Sequence, residues 1–213
     1  MYFFKIYWLN LLLILIIMNS NLHSQKKLSG VYSLRGIHDM AAAFEFNQEG
    51  SFRFYYAYGA VDRNAEGTYT VEGTKIALKS TKEAGKDFTI KSQTQNSKNY
   101  RIQVIAPNPY LLQHVRAACF IGKEQTDYFS DKSGLIEINN PAIDSIFLQH
   151  TLYPDIFTKI KDADNKNTIF EVELNPSLVQ VSFKGIDLEI DGDELHCLPN
   201  YFLPFENIRF VKE

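Results

Sequence analysis

Residues 44–58 read FEFNQEGSFRFYYAY, and this stretch decides the fold class of the chain. Aromatic side chains stand at every second position on both sides of a polar turn that contains Gly50. Successive side chains of a β-strand point to opposite faces, so this alternation places one face on an apolar core and the other in water. The stretch therefore predicts a β-hairpin within an antiparallel sheet.

The same period of two returns along the rest of the chain. It recurs at residues 75–79, 100–104, 170–174, 179–183 and 186–190. Between the runs lie glycines that predict turns, at Gly50, Gly67, Gly73, Gly85, Gly185 and Gly192. Glycine reaches a positive φ at little cost, which is why it favours tight turns between strands.

These runs predict an all-β protein built of two parts. Residues 25–130 are expected to form an antiparallel barrel or half-barrel, because short strands follow one another at spacings of roughly 8–12 residues. The polar stretch Ser130–Gly134 marks a seam, and residues 134–213 are expected to form a smaller β-sheet domain behind it. Helical spacing is confined to residues 39–43 and 155–161, where a turn or two of helix is expected.

The first 24 residues predict export from a bacterial cytoplasm. Lys5 precedes an apolar run at residues 9–18, and Ser24 is a small residue just before a polar start. A short basic start, an apolar stretch of roughly 10 residues and a small residue at the cut are typical of a secretory signal peptide. We therefore expect cleavage near Gln25 and a periplasmic or secreted protein without a membrane span. Retention of the segment as an anchor is the alternative.

Composition excludes some classes of function. The formal net charge is −3, with 22 Lys and Arg against 25 Asp and Glu. No basic stripe runs along the chain, so nucleic acid is not an expected partner. The calcium-like spacing at residues 162–173 and the acidic run at residues 187–194 fit solvated turns better than metal sites, so we expect neither a metal nor a cofactor. Cys119 and Cys197 either pair in an oxidising compartment or remain buried free thiols.

Residues 30–78 follow an order of short motifs that resembles a known group of proteins. A Gly-x-Tyr strand opens at Gly30, a Phe-x-Phe strand meets the turn at residues 47–50, and a Gly-Thr-Tyr strand begins at Gly67. This order resembles the lipocalin-like meander of uncharacterised exported proteins in Gram-negative bacteria. Tyr32 stands where true lipocalins carry tryptophan. The resemblance implies a lipocalin-like N-terminal barrel and export, and it carries no catalytic residue.

The aromatic strand and the turn after it form the candidate ligand-binding site. Its predicted residues are Phe52, Phe54, Tyr56, Tyr58, Arg53 and Asp62. Aromatic rings with a polar group beside them are typical of small-molecule pockets. The alternative interpretation is a barrel core, with Asp62 and Arg63 forming an ion pair that holds the turn.

The sequence favours binding or structural work over catalysis. The leading hypothesis is a non-catalytic module of the bacterial envelope that holds a small apolar or aromatic ligand, or a partner protein of the envelope, at the barrel mouth. A first alternative is a hydrolase-like envelope enzyme in which Asp39 and Asp62 meet in a cleft. A second is a protein–protein adaptor that uses sheet edges of the second domain. A wide cavity inside the barrel would favour the binding module, whereas a solid core with an exposed apolar patch would favour the adaptor.

Overall fold

A computed structural model describes residues 27–96 and 98–213, and the predicted signal peptide at residues 1–24 lies outside them. The described chain is all-β, as predicted, with sixteen strands and two short 3₁₀ helices at Pro109–His114 and Pro176–Val179. In chain order the strands are β1 (Gly30–Arg35), β2 (Met40–Phe46), β3 (Ser51–Tyr58), β4 (Val61–Glu72), β5 (Lys75–Ser80), β6 (Phe88–Thr94), β7 (Tyr100–Ile105), β8 (Val115–Ile121), β9 (Glu124–Phe129), β10 (Leu135–Ile138), β11 (Ser145–His150), β12 (Thr158–Lys161), β13 (Ile169–Leu174), β14 (Asp187–Asp191), β15 (Glu194–Cys197) and β16 (Ile208–Lys212).

Eight of these strands close into an antiparallel barrel. Their order around the barrel is β1-β16-β15-β14-β5-β4-β3-β2, and β2 pairs with β1 to complete the circle. The hairpin predicted from residues 44–58 is formed by β2 and β3, with Phe44 opposite Phe54 and Phe46 opposite Phe52. Closure pairs every strand of the barrel on both sides, so the barrel has no open edge.

The other eight strands form two four-stranded sheets. Their orders are β10-β7-β13-β6 and β12-β11-β8-β9, and the one parallel pair among the described strands of these sheets is β7 with β13. Side chains from both sheets meet in a single buried cluster that includes Ile102, Val115, Leu148 and Phe170. The two sheets therefore pack face to face as a β-sandwich with a core of its own.

The sandwich is inserted into the barrel rather than placed behind it. Barrel strands β1–β5 precede the sandwich and β14–β16 follow it, so both ends of the described chain belong to the barrel. This differs from the predicted division, because the expected seam at residues 130–134 falls between β9 and β10, inside the sandwich. Alternation identifies strands one at a time, whereas the pairing of β5 with β14 joins segments more than 100 residues apart and leaves no local signal.

Aromatic rings fill the interior of the barrel. Phe54 is completely buried, and its ring centroid lies 4.6 Å from that of Phe44 and 5.5 Å from that of Phe202. Phe183, which enters from the segment between the sandwich and β14, lies 5.1 Å from Phe54 and 5.5 Å from Phe52. Tilted and edge-on pairs at these distances are the favoured geometry for aromatic rings. The described barrel therefore has a packed aromatic core.

Three predictions of individual helices or strands were wrong. Residues 39–43 were expected to be helical, but Met40–Phe46 is strand β2, because pairing with β1 and β3 overrides the helical preference of alanine. Residues 155–161 contain strand β12 in place of a helix. Residues 179–183 are not a strand. Pro176 begins a 3₁₀ turn, and the chain after it runs beside β4 with a single bridge from Asn64 to Gln180.

Gly67 was expected in a turn but lies within β4, opposite Phe52 on one side and Ser80 on the other. A Cβ atom at this position would lie 2.0 Å from the carbonyl oxygen of Lys79. The turn that follows is made instead by Gly73, whose φ is +63°. Glycine is therefore needed at position 67 because two backbones approach closely there, and not because the chain turns.

We expect Gly67→Ala to lower the free energy of unfolding by about 3 kcal/mol, because the methyl group must push β5 away from β4. Gly73→Ala is the matched control, since a Cβ there meets no described atom within 4 Å apart from chain neighbours. Its left-handed backbone should cost only about 1 kcal/mol. Urea unfolding followed by circular dichroism measures both variants, and equal losses would contradict this assignment of Gly67.

Candidate functional site

A groove of about 750 Å³ lies on the outer wall of the barrel, across β1, β2, β3 and β4. Its lining takes three consecutive residues from each of three strands, at residues 33–35 on β1, 55–57 on β3 and 62–64 on β4, and residues 40–43 on β2. The middle residue of each triplet points into the barrel, as the burial of Leu34 and Arg63 shows. The residues on either side therefore point outward and form the groove with their side chains.

Two rows of outward side chains border the groove. The first row runs across the strands through Ser33, Ala43, Tyr55 and Asn64, which are paired in register. The second row contains Arg35, Ala41, Ala57 and Asp62, and Ala57 is paired with both Ala41 and Asp62. The centre of the groove is thus floored by three alanines, whose small side chains create the depression.

The groove has an aromatic wall and polar ends. The side chain of Tyr55 stands on the wall and is 59% exposed, so its ring is open to a ligand. Val179, at the end of the second 3₁₀ helix, lines the groove beside β4. Arg35 lies at the β1 end, and Asp62 lies at the β4 end. An apolar floor with a few convergent polar groups is typical of small-ligand sites.

The structure separates the predicted binding residues. Phe52 and Phe54 lie in the packed barrel core, and Arg53 is exposed on the outer wall, 3.8 Å from Glu45. Tyr58 is exposed at the end of β3. These four residues do not line the groove.

Two members of the predicted set, Tyr56 and Asp62, lie at the groove, but the ring of Tyr56 packs against the barrel core and Asp62 alone of the set points its side chain into the groove. The predicted binding set left out Arg35, Tyr55 and the three alanines, although alternation did place Tyr55 on the outer face of its strand. The run Ala41-Ala42-Ala43 was the available signal. On a strand it places two small side chains, those of Ala41 and Ala43, on the same outer face.

A second cluster of polar residues lies where the barrel meets the sandwich. We call it the ionic junction; its members are Arg63, Lys82, Asp87 and Asp155, and their side chains are between 1% and 4% exposed. Lys82 Nζ lies 2.7 Å from Asp155 Oδ2 and 2.7 Å from Asp87 Oδ1. The guanidinium of Arg63 lies 3.7 Å from Asp155 Oδ2. Two positive and two negative charges thus compensate one another away from water.

Asp155 is the most heavily bonded member of the ionic junction. Its Oδ2 accepts a hydrogen bond of 2.9 Å from the backbone N–H of Ser182, and its Oδ1 accepts one of 2.8 Å from that of Ile156. The Ser182 hydroxyl also donates to Asp155 Oδ1, and Tyr201 donates to the Ser182 carbonyl. Both oxygens of the Asp155 carboxylate therefore accept hydrogen bonds from the segments that meet at the ionic junction.

Asp87 is held more loosely in the ionic junction. It contacts Lys82, but its Oδ1 has no partner with hydrogen-bond geometry among the described residues. Burial raises the pKa of Asp87 from 3.8 to about 6, and the neighbouring positive charge of Lys82 only partly offsets this effect. The two carboxylates of the cluster are therefore not equivalent.

The ionic junction also fixes the position of one wall of the groove. Gln180 directly follows Val179, and its carbonyl accepts hydrogen bonds of 2.9 Å from Arg63 and 2.8 Å from Lys82. Arg63 donates a further bond of 2.6 Å to the carbonyl of Pro154, in the sandwich. These buried charges connect the sandwich to the barrel beside the groove, and their burial keeps them from direct contact with a ligand.

The cysteines are free thiols in separate cores. Cys119 is buried in the sandwich, and Cys197 packs against the core of the barrel. Burial raises the pKa of each thiol to about 12, so both are protonated at neutral pH. No group of three or more His, Cys, Asp and Glu residues suited to a metal ion occurs within residues 27–96 and 98–213. In the same residues, no helix has the length and apolar character needed to cross a membrane.

A smaller depression of about 540 Å³ lies over β5, β14 and β15. Its charged side chains are paired with one another or with near neighbours. Lys75 lies 3.0 Å from Asp187, and His196 lies 3.3 Å from Glu194. The groove on β1–β4 is larger, and neither of its terminal charges has an ion-pair partner within the described chain, so it is the better candidate for a binding site.

No family model, no curated protein and no solved structure matches this chain. An inference about its function therefore rests on the fold and the groove. The resemblance to exported lipocalin-like proteins stays an expectation.

Proposed function

We propose that this chain is an exported, non-catalytic binding module of the bacterial envelope, which holds a small apolar or aromatic ligand in the groove on the outer wall of its barrel. The observation that carries the proposal is the groove itself. Its volume of about 750 Å³ falls within the usual range of small-ligand sites, roughly 300–1,000 Å³. Its floor of alanines and its exposed tyrosine offer apolar surface to a ligand, and no large side chain covers the alanines.

We place the ligand in the groove and not in the barrel interior, because aromatic side chains fill the interior whereas the groove is open. Phe44, Phe54, Phe183 and Phe202 occupy the interior with their rings in mutual contact. A ligand there would have to displace buried aromatic groups. The outer groove requires no such rearrangement, so binding there avoids the cost of opening a packed core.

Two further parts of the proposal rest on other observations. Export rests on the signal-like sequence at residues 1–24. A non-catalytic role is supported by the exposure of Asp39 and Asp62, since the enzyme hypothesis requires these carboxylates to be desolvated together in a cleft.

An envelope protein partner remains the second candidate, and one observation favours it. Strand β9 is an edge of its sheet, and Phe129 at its end is 60% exposed. An edge strand offers unpaired backbone groups to an extended segment of another protein. This surface lies on the sandwich and is separate from the groove, so both kinds of binding are compatible.

We expect 1-naphthol, a small aromatic probe, to shift the methyl NMR signals of Ala41, Ala43 and Ala57. The methyl groups of Ala65 and Ala117, buried in the barrel and in the sandwich, should not move. Tyr55→Ala should weaken binding by about fivefold, because an aromatic contact contributes roughly 1 kcal/mol beyond its buried area. Tyr110→Ala is the control.

Tyr110→Ala suits this control because it removes an even more exposed tyrosine from a 3₁₀ helix of the sandwich, away from the groove. If a panel of apolar and aromatic probes moved none of the three alanine signals, or moved only Ala65 and Ala117, the proposed site would be refuted.

A further inference from the structure

The β1 end of the groove carries a guanidinium, that of Arg35, without an ion-pair partner among the described residues, and the Glu213 carboxylate at this end is bonded to Ser33 instead. Arg35 on β1 stands directly opposite Arg209 on β16, on the outer wall of the barrel. Like charges directly opposite each other on adjacent strands destabilise a sheet. Arg209 has a partner, because its Nη1 lies 3.4 Å from Glu194 Oε1. Arg35 has no carboxylate within 4.0 Å in the part of the chain that the structure describes.

Another arginine on the same outer wall does have an ion-pair partner. Arg53 on β3 is also exposed and points outward, but it lies 3.8 Å from Glu45 on the neighbouring strand. Arg35 is therefore an unpaired guanidinium next to a second arginine, at one end of an apolar groove. A guanidinium in this position is well suited to a planar anionic group.

The β4 end of the groove has the opposite sign. Asp62 is exposed there, next in register to Ala57, and no cation lies within 4.0 Å of its carboxylate in residues 27–96 and 98–213. Three strand spacings separate β1 from β4, a distance of about 14 Å. Among the described residues, the groove therefore has an arginine without an ion-pair partner at one end, an apolar middle and an aspartate without one at the other end, and it would orient a ligand that carries a charge.

We infer that the ligand of this groove is a small aromatic or aliphatic carboxylic acid. Its carboxylate binds at Arg35, and its apolar part lies on Ala41 and Ala57 beside Tyr55. The charge of Asp62 disfavours the reverse orientation and disfavours any acid with a second carboxylate at its far end. The inference rests on the proposed function, because it assigns a chemical class to the ligand of the same groove.

The test compares 4-phenylbutyrate with its neutral amide, 4-phenylbutyramide, by titration of the Ala41 and Ala57 methyl signals. The wild-type chain should bind the acid about fivefold more tightly than the amide, a preference expected of one partly solvated charge pair. Arg35→Gln should remove the preference, whereas the matched variant Arg53→Gln should keep it. Raising the salt concentration should also reduce it, because ions screen an exposed charge pair.

The outcomes separate this inference from the proposed function. Equal binding of acid and amide, with the alanine signals shifted by both, would overturn the inference and leave the groove as a binding site. A preference for the acid that survives Arg35→Gln would overturn the role of Arg35. Absence of alanine shifts with either probe would overturn this inference, and a parallel failure of 1-naphthol would overturn the proposed function with it.

Discussion

Asp155→Asn is expected to lower the free energy of unfolding by about 3 to 5 kcal/mol, the usual cost of removing one partner from a buried ionic cluster. The variant leaves Lys82 and Arg63 buried with Asp87 as their remaining counter-charge. It also weakens the acceptor for the backbone N–H of Ser182, which holds the end of the sandwich against the barrel. Urea unfolding at pH 7 measures the loss.

Asp87→Asn is the matched control within the same ionic junction. Lys82 keeps its contact of 2.7 Å to Asp155 in this variant, so the change at pH 7 should stay within about 1 kcal/mol or favour the variant. An equal loss in the two variants would contradict the different roles that the structure gives the two carboxylates.

The difference in stability between the wild-type chain and Asp87→Asn should depend on pH, and its sign follows from the raised pKa of Asp87. The pKa of Asp87 is about 6 in the folded chain and 3.8 without burial, so the folded state binds the proton more tightly between these values. Its contribution to stability is therefore complete below about pH 4 and is lost as the pH rises through about 6. The wild-type chain and Asp87→Asn should be alike at pH 4, and the wild-type chain should lose stability relative to the variant as the pH approaches 7.

Phe183→Ala is expected to lower the free energy of unfolding by about 3 to 5 kcal/mol, because the lost ring leaves a cavity in a rigid core. The ring of Phe183 contacts those of Phe44, Phe52, Phe54 and Phe202. Although Phe183 lies outside the strands, it completes the filling of the barrel. Thermal and urea unfolding of the variant measure the effect.

Leu198→Ala is the control for this substitution, since it removes an apolar side chain that is 84% exposed. Its effect should stay within about 0.5 kcal/mol. A loss in Phe183→Ala no greater than that of Leu198→Ala would show that the barrel interior is not packed as the structure describes.

Local alternation was enough to predict several strands of the barrel. Residues 44–46 and 52–58 lie in β2 and β3, and residues 75–79 and 186–190 overlap β5 and β14. The same rule failed at residues 179–183, where Val181 and Phe183 are buried but Ser182 between them is buried too. A polar residue that finds a buried partner cannot be distinguished, in sequence, from one that faces water.

The interpretation of Asp62 and Arg63 shows where sequence reasoning reached its limit. These neighbours were considered as an ion pair that holds a turn. On a strand, however, adjacent side chains point to opposite faces, and Asp62 lies in the groove whereas Arg63 lies in the ionic junction. The true partner of Arg63 is Asp155, which comes from the sandwich and has no nearby counterpart in the sequence.

The sequence by itself determined that this chain is all-β and where many of its strands begin and end, because a period of two is a local property of extended backbone with one wet face. Only the tertiary structure decided that the sandwich is inserted in the barrel, that the aromatic strand fills a core, and that alanines of β2 and β3 form a groove with Arg35 and Asp62 at its ends. These features depend on which distant strands pair and which side chains meet across them. Such contacts depend on packing over long chain separations, and no short pattern of residues encodes them.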